Sequence, residues 1–178
     1  GDGDLKLIYT TTNSPTVCDI TKTCSYTLYI RRAEDGALNK SISLGSLDSR
    51  VTPTMADLDN DNVPEIVIVA KNSYSVDLGI IAAYDAVTGN QEWAYTDNNN
   101  LLISQISPDL VDINGNGDLE IVYAENDDSK VHILDGSGNL WATYSFSGLI
   151  GSALAIGDLD NDRKAEIAVK HAGLADVD

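Results

Sequence analysis

An acidic loop repeated three times in register, a glycine turn repeated in phase with it, and a unit length of roughly 45–55 residues predict an all-β fold. The predicted architecture is a partial or assembly-completed β-propeller of four-stranded antiparallel blades, each carrying a DxDxD loop.

The acidic loops define the repeat. DLDNDNVPEIVIV from Asp57, DINGNGDLEIVYA from Asp112 and DLDNDRKAEIAVK from Asp158 align without gaps, their starts 55 and 46 residues apart. A partial fourth copy, GDGDLKLIY, opens the chain and sets Leu5 opposite Leu119. The second element comprises LYIRRAEDGALNKSI, IIAAYDAVTGNQEWAY and KVHILDGSGNLWATY, each reading as strand, turn, strand. Gly36, Gly89 and Gly138 hold the equivalent turn position, where glycine accepts a positive φ without steric cost. Trp93 and Trp141 follow their turns and are expected to pack between blades. Short semi-apolar segments, RVTPTMA, SQISPDLV and GSALAIG, lead into each loop.

Each unit therefore runs strand, acidic loop, strand, variable connection, strand, glycine turn, strand. Residues 1–56, 57–111 and 112–157 make three units of one repeat region covering 1–178, and 158–178 begins a fourth. The strand after each loop is apolar on both faces, as in Ile66, Val67, Ile68 and Val69 or Ile121, Val122 and Tyr123. Such a strand is expected to be buried on both sides. No segment shows a capped 3.6-residue apolar period, so little helix is expected.

The loops carry hard oxygen donors at alternate positions, a pattern suited to Ca²⁺. In the first, Asp57, Asp59 and Asp61 take positions one, three and five, Val63 offers a carbonyl at seven, and Glu65 stands at nine. The second supplies Asp112, Asn114, Asn116, the Asp118 carbonyl and Glu120; the third supplies Asp158, Asp160, Asp162, the Lys164 carbonyl and Glu166. Without a cation, carboxylates this close would repel one another strongly. About three Ca²⁺ ions per chain are expected. An EF-hand is excluded: its position twelve needs a bidentate Glu, and here that position is Ile68, Tyr123 or Val169. The second loop carries fewer charges and is expected to bind more weakly.

The chain has 178 residues and a net charge of −17, with 28 acidic side chains against 11 Lys and Arg. A surface this negative repels nucleic acid and anionic membranes, and no apolar run is long enough to span a bilayer. The hydrophobic share of 43% is enough to build a core. Cys18 and Cys24, in a polar Thr-rich stretch, are expected to form a disulfide stapling a hairpin tip. Asn39-Lys40-Ser41 is an N-glycosylation sequon.

ADLDNDNVPEIVI, VDINGNGDLEIVY and GDLDNDRKAEIAV resemble the FG-GAP/VCBS repeats of integrin α-subunit propellers and of many bacterial surface proteins. The resemblance spans the chain at the level of repeats. It implies a propeller with one Ca²⁺ loop per blade, located outside the cell or at its surface. MADLD and AIGDLD stand where the family's Phe-Gly and Gly-Ala-Pro signatures would lie, and Lys6 stands where the first loop would have Glu. Similar propellers occur in polysaccharide lyases such as rhamnogalacturonan lyases.

Three units and a start do not close a ring of four to eight blades. GDGDLKLIY opens inside a motif, so the chain reads as a trimmed piece of a longer repeat protein or as one completed by another copy. Joined head to tail, the ends read ADVDGDGDLKLIY, and Asp176, Asp178 and Asp2 would supply positions one, three and five of a shared site. The interval from Asp158 to Asp176 is 18 residues, too short for a blade.

No catalytic motif is present, and no catalytic residue is assigned. His132 lies in the strand KVHIL, where a structural role is expected, and Lys170 and His171 follow the third loop, where a lyase base would fit. Three functions follow: an extracellular interaction, adhesion or appendage-assembly module meeting a protein or glycan at the cell surface or matrix; the propeller part of a calcium-dependent polysaccharide lyase or other carbohydrate-active enzyme; and a subunit of a head-to-tail filament.

Overall fold

The computed structural model describes residues 6–12, 25–49, 51–72, 79–97, 107–125, 129–147, 149–150, 154–162, 164–169 and 171–172. Cys18, Cys24, Lys170 and the three terminal acids Asp2, Asp176 and Asp178 lie outside them. Every regular element among the described residues is a strand, and no helix there is long and apolar enough to cross a membrane.

The first sheet joins β1 (Lys6–Thr12), β2 (Tyr26–Arg32) and β3 (Leu38–Gly45) in order, all antiparallel. The second centres on β6 (Glu65–Asn72), which pairs with β7 (Gly79–Asp85), and β7 pairs with β8 (Gln91–Asp97). The other edge of β6 is shared by β5 (Thr54–Ala56), which covers Glu65 to Val67, and β4 (Leu47–Asp48), which covers Lys71 and Asn72. This sheet thus has five strands where the repeat led us to expect four. The reason is length: β5 is too short to satisfy the whole edge of an eight-residue strand, and β4 takes part of the remainder.

The third sheet has four strands: β9 (Asp109–Val111), β10 (Glu120–Glu125), β11 (Lys130–Leu134) and β12 (Leu140–Ser145). Two short pairs follow: β13 (Leu149–Ile150) with β16 (His171–Ala172), and β14 (Ala155–Gly157) with β15 (Glu166–Ala168).

The alternation of side chains along a strand explains how the sheets stack. Ile66, Ile68 and Ala70 point into a core shared with Leu28, Ile30 and Ile42 of the first sheet. Val67 and Val69 point the other way, into a core shared with Ile121, Tyr123 and Leu134 of the third. Val122 and Ala124 then meet Leu154, Ile156 and Ile167. The strand after each of the first two loops is therefore buried on both faces, as its composition predicts; Ile66, Ile68, Ile121 and Val122 are fully buried.

The turn glycines Gly36, Gly89 and Gly138 all have positive φ, 70°, 77° and 80°. At Gly138 a second constraint applies, since a Cβ there would lie 2.4 Å from the Trp93 ring. Trp93 thus packs on the turn of the next sheet, as expected. Trp141 does not match it and is 52% exposed. The turn before Trp141 is one residue shorter, and β12 carries a bulge: Ala83 pairs with Trp93, whereas Ile133 pairs with Ala142. Ala142 is the structural counterpart of Trp93, and Trp141 takes the outward place held by Glu92.

His132 has the structural role expected of it. It is buried in β11, stacks on Tyr123 with ring centres 4.9 Å apart, bonds Thr143 Oγ1 through Nδ1 at 3.0 Å, and places Nε2 3.3 Å from Glu125.

Candidate metal-binding loops

All three acidic loops connect a three-residue strand to the strand beside it: β5 to β6, β9 to β10, β14 to β15. Antiparallel pairing brings the loop ends together, so the intervening residues must curl into a tight ring. Four side chains per loop organise that ring through main-chain N–H groups.

The position-five N–H donates to Oδ1 of position one and of position three. These bonds are Asp61 to Asp57 and Asp59 (both 3.1 Å), Asn116 to Asp112 and Asn114 (3.1 and 3.0 Å), and Asp162 to Asp158 and Asp160 (both 3.1 Å). The position-seven N–H of Val63, Asp118 and Lys164 donates to position five at 2.7, 2.8 and 2.8 Å. The position-two N–H of Leu58, Ile113 and Leu159 donates to Oε2 of the position-nine glutamate at 2.7, 2.9 and 2.7 Å. Each glutamate thus closes the ring with one oxygen. In the second loop the other oxygen, Glu120 Oε1, accepts from the Asn114 amide at 3.0 Å.

This curl needs left-handed backbone at position four, and Asn60 (63°), Gly115 (77°) and Asn161 (65°) supply it. Asn62 (72°) and Gly117 (96°) do the same at position six. Asn and Gly are the residues that tolerate this region best. These positions were missed in the sequence, where only the donor positions were weighed. The signal was present as the alternation N-D-N and G-N-G between the donors.

The carboxylates converge. Asp57, Asp59 and Asp61 each offer an oxygen within 4.8 Å of the others, as do Asp158, Asp160 and Glu166. Glu65 is buried and accepts the Leu58 N–H, and Asp162 accepts the Lys164 N–H. The second loop holds three carboxylates, of which Asp112 and Glu120 stand at side-chain donor positions, with the amides of Asn114 and Asn116 between them, and Asp118 stands at position seven. Donor chemistry fits a hard divalent cation in every loop: oxygens only, three to four of them from side chains, with acidic groups held close at a Coulombic cost that a cation would offset.

Electrostatics at Glu65 express that cost. Burial pushes its carboxyl up to about 7, and Glu92, Asp59 and Asp57 add repulsion, while the Leu58 N–H acts in the opposite direction. Burial likewise raises Glu120, with Asp112 and Asp118 adding to it. Glu92 is raised by burial and by Asp59, Asp85 and Asp61; it extends the acidic field of the first loop and was not anticipated from the motif.

The first two loops meet across the sheet boundary. Asn60 Nδ2 donates to Asp118 Oδ1 at 3.1 Å. A Cβ on Gly136 would lie 2.6 Å from the Leu58 carbonyl oxygen and 3.5 Å from that of Leu119. The near neighbour is backbone and cannot swing aside, so Gly136→Ala is expected to cost about 1–3 kcal/mol. Urea unfolding would measure it; a loss below about 0.5 kcal/mol, the level of an ordinary surface change, would show that the contact yields easily.

His171 lies in β16, its backbone paired with Ile150.

Stacked β-sheets with acidic loops at equivalent corners define an all-β repeat protein. Residues 112–169 match the family model of the FG-GAP-like repeat. This stretch, which contains the second and third loops, belongs to the FG-GAP-like repeat family. Among solved structures, a rhamnogalacturonan lyase, YesW, is similar in fold at a TM-score of 0.67, with 17% identity over 97% of this chain and 34% of the lyase. The chain thus spans about a third of that protein. BamB from Moraxella catarrhalis aligns at 14% identity over 88% of this chain and 53% of its own, at a TM-score of 0.36 that bears no weight. A search of curated proteins finds no match.

Proposed function

We propose that this chain is a calcium-stabilised extracellular interaction module, made of propeller blades near residues 1–56, 57–111 and 112–157 with the start of another at 158–178. Its three loops take Ca²⁺, which supplies the positive charge their carboxylates lack. Its partner is a protein or glycan at the cell surface or matrix. The observation that supports this best is the recurrence of one hydrogen-bond pattern in three loops whose sequences differ at most other positions. A network repeated at positions one, two, three, five, seven and nine favours a common ligand over general surface acidity.

Equilibrium dialysis against Ca²⁺ in physiological salt is expected to find about three ions per chain, held in preference to Mg²⁺, which keeps its own waters. Binding at no more than the level of a charge-matched acidic control protein would end the proposal.

The similarity in fold to a rhamnogalacturonan lyase supports a second reading, in which the chain is the propeller part of a calcium-dependent polysaccharide lyase. It predicts cleavage of an acidic polysaccharide, lost on Lys170→Ala or His171→Ala. No product absorbance with calcium-loaded protein would exclude it for this chain.

A further inference from the structure

We infer that the first and second loops bind their cations cooperatively through the Asn60–Asp118 contact, a side-chain device that the junction of the second and third loops does not share. This rests on the loops being calcium sites, as proposed above, and concerns how occupancy of one regulates the next.

Asp118 is position seven of the second loop, where the expected ligand is the main-chain carbonyl. Its carboxylate is thus left over, and Asn60 uses it at 3.1 Å. The Asp118 N–H meanwhile bonds Asn116 Oδ1, a position-five donor, at 2.8 Å. One residue therefore joins the first loop to the ligand set of the second. The Gly136 turn supports the same junction, because Leu58 of the first loop and Leu119 of the second both press on it.

An exposed hydrogen bond between two loops is weakened by the entropy of ordering both. A cation in the first loop holds Asn60 in its left-handed geometry, so the bond forms at less cost and the second loop is ordered in turn. Linkage makes the effect reciprocal. Repulsion between the two ions opposes the coupling, but it is common to parent and Asn60 variants and cancels between them.

The next junction is built differently: the Ala165 N–H of the third loop donates to the Ile113 carbonyl of the second at 3.3 Å, main chain to main chain. Position four of the second loop is Gly115, which has no side chain, and position seven of the third is Lys164, whose Nζ lies 3.9 Å from Asp162.

The test titrates Ca²⁺ into the full chain at about 0.15 M salt, where long-range repulsion is largely screened. The amide signals of Gly117 and Asn161 report the second and third loops. Asn60→Gly keeps the backbone conformation and removes the amide; Asp57→Ala disables the first loop. Asn60→Gly is expected to weaken the second loop about three- to tenfold and the third by less. In the Asp57→Ala background the same change is expected to have less than about a twofold effect, since there is no first ion to couple. An equal effect in both backgrounds, or none in either, overturns the coupling while the calcium sites stand. Absence of any calcium-induced shift in the parent chain overturns the calcium reading itself, and the coupling with it.

Discussion

Stripping calcium is expected to lower the melting temperature by about 15–30 °C. Each site at a free concentration one hundred times its dissociation constant stabilises the folded state by about 2.7 kcal/mol. Three such sites would add up to about 8 kcal/mol before any coupling between them, and about 2–4 °C accompanies each kcal/mol in a chain of this size. The sign follows from the loops' construction: carboxylates of the first and third loops are gathered within 4.8 Å of one another, a repulsion that a cation offsets and that the unfolded chain relaxes. Scanning calorimetry with excess Ca²⁺ and with EDTA measures the difference. Asp57→Ala is expected to lose about one third of it. Superimposable curves would remove the support for calcium in these loops.

The second large effect concerns pH in calcium-free buffer. Glu65 rises from 4.5 to about 7 on folding, chiefly through burial. The native state therefore holds a proton that the unfolded chain releases, and stability from this group is fully present below about pH 4.5. It is lost as pH rises through about 7. A shift of this size corresponds to at most about 3 kcal/mol. Urea unfolding between pH 4.5 and 7.5 is expected to show ΔG falling across that window. Glu65→Gln, which keeps an oxygen for the Leu58 N–H, is expected to flatten the fall. With calcium present the trend reverses, because the ion and the proton compete for the same carboxylates and affinity climbs as the proton leaves. A rising or level profile that Glu65→Gln leaves unaltered would show that this carboxyl is already ionised in the ion-free fold.

Much of this architecture was legible from periodicity. Asp57, Asp112 and Asp158 announce the repeat because a ring of oxygen donors requires alternate residues, and alternation survives as a written pattern. Ile66 to Val69 announce a strand buried on both faces because neither parity is polar. What stayed hidden depends on distance or on single-residue offsets. Trp141 looks like the partner of Trp93 by eye, yet a turn shortened by one residue moves it to the opposite side of the sheet. The position-nine glutamates read as ligands, and their bond to the position-two N–H emerges only when antiparallel pairing closes the loop. Asn60 and Asp118 are 58 residues apart, and nothing local to either forecasts their meeting.

The two-faced burial of β6 and β10 has a mechanical corollary. Every apolar layer belongs jointly to two adjacent sheets, so no sheet in the middle of the stack is a finished object by itself. Excising the segment around β6 would wet Ile66 and Ile68 on one side and Val67 and Val69 on the other. Amide exchange should accordingly be slowest at the strands that serve two cores at once.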